Sequence, residues 1–228
     1  MSPTPEVIAR IGSRDILTLP EAPSVFFFEA GMGIDADGSP RAYHPDSGMG
    51  LDALANAGRP GRWWGVATDT GRADGTPVLQ GPDDPAPGFY VSTTSLHDPS
   101  KAHTDPARYV DAETMPYFVL PGDLGLSIRL GDFGYVVRPS AAKASGGVFA
   151  DVGPKGHVGE GSIALAEALG IPSSPRHGGC SGGVLYVVFS GSAAGWPLDR
   201  SEVETRATAL FTAWGGMDLL RAVLPDYC

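Results

Sequence analysis

Apolar residues in this chain come in short runs separated by glycine, proline and aspartate. The clearest are Val25-Phe26-Phe27-Phe28, then YFVL within MPYFVLPG, GYVV within LGLSIRLGDFGYVVRP, VFA within GGVFAD, and VLYVVF within VLYVVFSGS. Short runs rich in aromatic and β-branched residues fit buried strands. The unbroken VLYVVF run predicts a central strand. Residues 1–20 are expected to form an N-terminal arm or strand, with Ile16-Leu17-Thr18-Leu19 as its apolar part. Asp35 and Asp37 alternate along a short extended piece, and Asp37-Gly38 predicts a hairpin turn. LDALANAG predicts a short helix ended by Gly58, and GPDDPAPGFYVSTTSL places three prolines before a strand-like FYVSTT. Near the C-terminus, Ser201-Glu202-Val203-Glu204 reads as a capping box opening a helix over 201–214. There Val203, Ala207, Leu210, Phe211 and Trp214 recur at helical spacing, a stripe for core packing, and Gly215 ends the helix. The fold class that follows is mainly β with a few helices, in a single domain over 1–228 with long loops.

Composition sharpens this picture. The chain has 228 residues, 42% of them hydrophobic, enough for one substantial core. Gly 32 and Pro 21 make up nearly a quarter of the sequence, scattered without a period, which suits many turns and ordered loops. Net charge is −10, and the only lysines are Lys101, Lys143 and Lys155. Such a surface repels nucleic acid and anionic membranes and attracts polycations, although solubility alone also accounts for it. Cys180 and Cys228 are the two cysteines, too few for a disulfide framework and without zinc spacing. A bridge between them is allowed but does not follow from the sequence. The opening MSPTPEVIARIGSRDILTLP has no apolar block of signal-peptide length, and no run approaches a membrane span.

The candidate chemistry lies in GGVFADVGPKGHVGEGSIALAEALG, residues 146–170. A strand delivers Asp151 to a loop broken by glycine and proline, and Glu160 follows between two glycines before a helix-like segment. Two carboxylates at the ends of a tight loop, with no cysteine or histidine cluster, point to acid/base work rather than a metal. Glycosidic hydrolysis needs one carboxylic acid to protonate the leaving oxygen and a second carboxylate to activate water or attack carbon. Ordinary loop acids are the other reading, with Asp151 capping the turn and Glu160 at a helix start, where negative charge is favoured. Asp35 and Asp37 open a D-x-D-G run like a calcium loop, but Pro40 stands where that loop needs glycine. No metal or other cofactor is expected. Trp63 and Trp64 could stack on sugar rings, with core packing the alternative for at least one of them.

The run FADVGPKGHVGEGSIALAEALG resembles the signature of the endo-chitosanases of glycoside hydrolase family seventy-five. In that family an Asp-containing glycine loop leads into I-G-E-A-S-I-x-L-A. MGIDADG resembles the family's M-D-I-D-x-D-G run, and RHGGCSGGVLYVVFSGS resembles its late H-G-G…V-x-Y-x-x-F-x-G-S strand. These matches cover most of residues 25–192 in the family's order. The chain departs in a shorter Asp-to-Glu loop, in Gly33 where Asp is common, and in Gly161 for the usual Ala. The succession MPYFVLPG, GDFGYVV, GGVFADVGP and GEGSIAL is also similar to double-psi β-barrels, implying a six-stranded core with the active loop at its mouth.

The resemblance implies a monomer that cuts β-1,4 bonds within chitosan, a cationic amino-sugar polysaccharide, by inversion outside the cell. Glu160 would be the general acid and Asp151 the base, and the two roles could be exchanged. Inversion expects carboxyl groups roughly 6.5–9.5 Å apart. Asp35, Asp37, Tyr43, His44, Asp69, Asp132 and Ser162 are the substrate-binding candidates, with carboxylates meeting the ammonium groups of glucosamine units. Peptidoglycan or another amino-sugar polymer is the alternative substrate, and it expects fewer acids in the cleft. A non-catalytic polysaccharide-binding barrel is the alternative class.

Overall fold

The apolar runs do become strands, and the strands close. The computed structural model describes residues 3–122 and 124–227. In chain order the strands are β1 (Glu6–Ile11), β2 (Arg14–Leu19), β3 (Ala22–Asp35), the two-residue β4 (Gly58–Arg59) and β5 (Arg62–Trp63), β6 (Tyr117–Pro121), β7 (Phe133–Arg138), β8 (Lys143–Gly153), β9 (Glu160–Ser162) and β10 (Cys180–Phe189). The helices are α1 (Ile163–Ala168), α2 (Arg200–Trp214) and α3 (Gly216–Val223). Hydrogen bonding runs β3-β10-β7-β8-β6-β9 and returns from β9 to β3, which makes a closed six-stranded mixed barrel. The β6–β8 and β3–β9 pairs are parallel and the other four are antiparallel. The N-terminal arm is the β1–β2 hairpin, laid on β3 through β2.

Alternation along each strand sorts side chains to two sides of the barrel wall. Phe26, Phe28, Phe118, Phe149, Val136 and Tyr186 pack inside, with the Phe28 and Tyr186 rings stacked at 4.8 Å. On the outer face, Phe27, Leu185 and Val187 lie beneath Phe211 of α2 and Leu220 of α3. Tyr117, Val119, Val148 and Ala150 form a second outer face, covered by Tyr43, Val66 and Val110 of the long 36–116 segment and by Val203 and Ala207 of α2. VLYVVF is central, paired with β3 on one side and β7 on the other.

Several local expectations change. The C-terminal helix starts one residue early, and its capping box is Asp199 with Glu202 rather than Ser201 with Glu204. Gly215 ends it as expected, but α3 follows at once. The chain turns at Gly38, where φ is +78° and an added Cβ would lie 2.0 Å from the Val110 carbonyl oxygen. No return strand follows that turn, because the end of β3 pairs with β9 instead. LDALANAG gives a single 3-10 turn, Leu54–Ala57, and FYVSTT makes only isolated bridges. Among the described residues no helix is long and apolar enough to cross a membrane. Cys228, and with it any Cys180–Cys228 bridge, lies outside the described residues.

Asp132 proves to be an internal fastener. It is 0% exposed, and its Oδ1 and Oδ2 accept from the amides of Ala193 (2.8 Å), Arg129 (2.8 Å) and Gly191 (3.1 Å). A substrate cannot reach it, so its assignment as a substrate residue is withdrawn. Its carboxylate ties the start of β7 to the turn after β10. Replacing Asp132 with Ala orphans those amides at once and should cost about 3 kcal/mol or more of unfolding free energy in urea, with the m-value unchanged. A loss below about 0.5 kcal/mol, the range of an ordinary surface change, would contradict this role.

Candidate active site

Asp151 and Glu160 are brought together by one residue of β6. Along β6 and β8, Phe118 pairs with Phe149, but the next residue, Val119, pairs with Asp151. Ala150 is therefore an extra residue, a β-bulge, and it shifts the alternation of β8. Phe149 points into the barrel, and without the bulge Asp151 would follow it there. With the bulge, Asp151 shares the outer face with Val119. On the other side of β6, Val119 pairs with Glu160 of β9. The two acids thus flank one valine. Two strand spacings set their backbones roughly 10 Å apart.

Glu160 in turn pairs with Gly33 of β3, and Asp35 lies two residues farther along the same face. An added Cβ at Gly33 would find nothing nearer than 3.8 Å, so the space beside Glu160 is left open. Gly161 differs: its Cβ would lie 2.9 Å from Leu165 Cδ2 and 3.1 Å from the Tyr117 carbonyl oxygen, too tight for alanine without adjustment.

These groups line a cleft of about 690 Å³, together with Asp37, Tyr43, Asp52, Asn56 and Trp64. Five carboxylates face it and, among the described residues, no lysine, arginine or histidine lines it. The coil 172–179 closes one side through Pro175, and Arg176 pins that coil by donating to the backbone oxygens of Ser47, Gly50 and Asp52. A second concavity of about 710 Å³ opens around Gly33, His157 and Cys180. Among the described residues no carboxylate lines it, so the cluster of acids belongs to the first. Among the described residues no three His, Cys, Asp or Glu side chains come together in a metal-holding group.

The carboxylates are not equivalent. Asp151 Oδ1 accepts from the Ser95 amide (2.9 Å), the Ser95 hydroxyl (2.5 Å) and the Val152 amide (2.8 Å). Burial leaves its pKa raised, with these hydrogen bonds opposing part of that shift. Among the described residues nothing donates a hydrogen bond to the Glu160 carboxyl, and burial, followed by the charges of Asp151 and Asp52, pushes it up to about 6. Asp35 is raised well above the ordinary range, by burial first and then by Asp151 and Glu160; its Oδ1 accepts from the Asp37 amide. Asp37 is raised well above it too, by burial and then by Asp35, and it accepts from the Tyr43 hydroxyl at 2.6 Å.

Of the sequence-derived candidates, Asp35, Asp37 and Tyr43 stand on the cleft wall with Asp151 and Glu160. His44 does not: its Nδ1 accepts from the Asp46 amide and its ring lies against Phe89. Asp69 is exposed in a separate loop, accepting from the Thr76 amide. Ser162 is fully buried, where its hydroxyl caps α1 at Leu165, accepts from the Tyr117 amide and donates to Met115. None of these three lines the cleft. Trp63 is core at 8% exposure, whereas Trp64 is 59% exposed on the rim, its indole N–H donating to the Asn56 carbonyl at 2.7 Å. Asp52, Asn56 and Ser95 were not singled out from sequence. Asp52 sits just before the LDALANAG turn, where an acid reads as an ordinary turn residue. A scan of protein-family models and a search of curated proteins each return no match to this chain.

Buried acids with raised pKa favour folding in their protonated form. That contribution is fully present below the ordinary carboxylate values of 3.8 and 4.5, and it is lost as pH rises through about 6 and beyond. Asp98, Glu113 and Asp199, whose pKa values are lowered, act in the opposite sense, but only near or below those ordinary values. The melting temperature should therefore rise as pH falls from about 7 to about 5, and Asp35→Asn should flatten that rise while stabilising the protein at pH 7. A melting temperature that falls across that window in the parent would refute the assignment.

Proposed function

We propose that this chain is an endo-acting glycoside hydrolase that cleaves β-1,4 bonds of chitosan with inversion. The observation that carries this reading is the Asp151–Glu160 pair flanking Val119 on the wall of a cleft lined by five acids and by no described basic residue. Glucosamine units bear ammonium groups below neutral pH, and such a cleft attracts them. The many acids favour chitosan over peptidoglycan. The resemblance to family seventy-five chitosanases places its two essential acids at the same positions.

The hydrogen bonds divide the roles. Three donors favour the charged form of Asp151, which suits a base. Glu160, without donors and raised to about 6, suits a proton donor under mildly acidic conditions. Glu160 gives its proton to the glycosidic oxygen as the C1–O bond breaks. Asp151 takes a proton from the water that attacks C1 from the opposite face. The backbones stand two strand widths apart, which supports inversion, where a water must fit between the carboxyl groups. Trp64, held by Asn56, offers an apolar face for a pyranose ring at the cleft rim.

Reducing-end release from chitosan tests the reading. The parent should be active, with the rate falling as pH rises through about 6, where Glu160 loses its proton. Glu160→Gln and Asp151→Asn should each lose on the order of 100-fold or more in kcat. Proton NMR of fresh cleavage products should show the α-anomer first. An inactive parent would refute the enzyme reading, and a fully active Glu160→Gln would remove that residue from the chemistry. Trp64→Ala should raise KM several-fold with little change in kcat, since ring contacts of this kind are worth about 0.5–1.5 kcal/mol. An unchanged KM would take Trp64 out of the binding site.

A further inference from the structure

The brace on Asp151 comes from far away in sequence and is itself firmly held. The Leu96 amide donates to the Ala150 carbonyl at 2.8 Å, which docks the Thr94–His97 turn on the bulged residue of β8. The Thr94 hydroxyl donates to the Leu96 carbonyl at 2.7 Å and accepts from the Val110 amide at 3.0 Å. His97 Nδ1 lies 2.9 Å from the Ser95 carbonyl oxygen. Between these anchors, Ser95 directs both its amide and its hydroxyl at a single oxygen, Asp151 Oδ1. The hydroxyl contact, at 2.5 Å, is at the short end for a charged acceptor. The Val152 amide joins on the same oxygen. Asp151 Oδ2 receives none of these donors, while Asp151 itself lines the cleft.

We propose that Ser95 is a positioning residue that occupies Oδ1 of Asp151, favours the ionised form of the carboxylate and leaves Oδ2 as the oxygen that takes the proton from water. Ser95 touches no reacting atom and acts only through Asp151. The inference rests on Asp151 being the base of the reaction proposed above. The other titratable groups around Asp151 are Glu160 on β9 and Asp35 and Asp37 at the end of β3. Removing the Ser95 hydroxyl alters none of them. His97 touches the Ser95 backbone, which the substitution also leaves in place.

The test pairs a direct titration with a rate profile. Carbon NMR of the labelled Asp151 carboxyl is followed against pH in the parent, Ser95→Ala and Ser95→Thr, alongside kcat and KM on chitosan. In Ser95→Ala, Asp151 should titrate about one unit higher, as loss of a hydrogen bond to a charged group implies. The acid limb of the rate profile should move by the same amount, and kcat should fall about tenfold with KM little changed. Ser95→Thr, which keeps a hydroxyl, should restore both. An unshifted titration, a rate loss equal at every pH, or failure of Thr to restore would each overturn the proposal. If the parent does not cleave chitosan, the functional reading fails and the Asp151 titration alone decides the role of Ser95. Should Ser95→Ala not fold, the hydroxyl proton of Ser95 in the parent decides. Slow exchange that is lost as Asp151 becomes protonated supports the brace, and free exchange throughout overturns it.

Discussion

One extra residue in β8 determines which face of the barrel wall Asp151 occupies. Ala150 and Asp151 both oppose Val119, so the alternation that buries Phe149 inside the barrel is reset one position early. Asp151 then emerges on the face where Glu160 and Asp35 already stand. The bulge is stabilised from outside, because the Ala150 carbonyl is taken by Leu96 rather than left unpaired. The same docking delivers Ser95 to Asp151. Strand register, loop anchoring and the hydrogen bonding of Asp151 are therefore one structural event.

The second constraint is electrostatic. The cleft gathers five carboxylates and no described cation, an arrangement that raises Asp35, Asp37, Asp151 and Glu160 together through burial and, for most of them, mutual repulsion. A fold tolerates such a cluster only when the surrounding scaffold is stable enough to bear it. Here the scaffold is a closed barrel filled with stacked aromatics, and the acids stand on its outer wall beneath the long loops. A cationic ligand would relieve the repulsion that the folded protein carries by itself. That links the cost of assembling the site to the charge of what it binds.

Much of the barrel was legible in the chain because buried strands announce themselves by composition. Phe26–Phe28 and Val184–Phe189 admit few other readings, and the stripe from Val203 to Trp214 marks a packed helix. What periodicity does not show is which strand lies beside which. β9 is only Glu160–Ser162, too short to register as a strand, yet it closes the barrel between β3 and β6. The same limit applies to the acids. Asp35, Asp37 and Asp132 look alike as aspartates beside glycines or short strands. Asp132 meets a ring of amides supplied by residues as distant as Ala193, whereas Asp35 meets other carboxylates. Partners set by tertiary contact carry no local signature, which is also why Ser95 and Asp52 passed as ordinary loop residues.

The division of labour between Asp151 and Glu160 has the same origin. Both acids sit opposite Val119, both are largely buried, and each lies within the field of other carboxylates. Nothing in their own sequence neighbourhood tells the two apart. Their difference lies in the donors that reach them: Ser95 and Val152 converge on Asp151, while no side-chain hydrogen bond stabilises the charge of Glu160. Burial acts on both in the same direction, so it cannot separate them. Hydrogen bonding acts on one alone, and it favours the ionised form of Asp151 beside a Glu160 that holds its proton to about pH 6. A turn fifty-six residues upstream of Asp151 therefore supplies what distinguishes the two carboxylates.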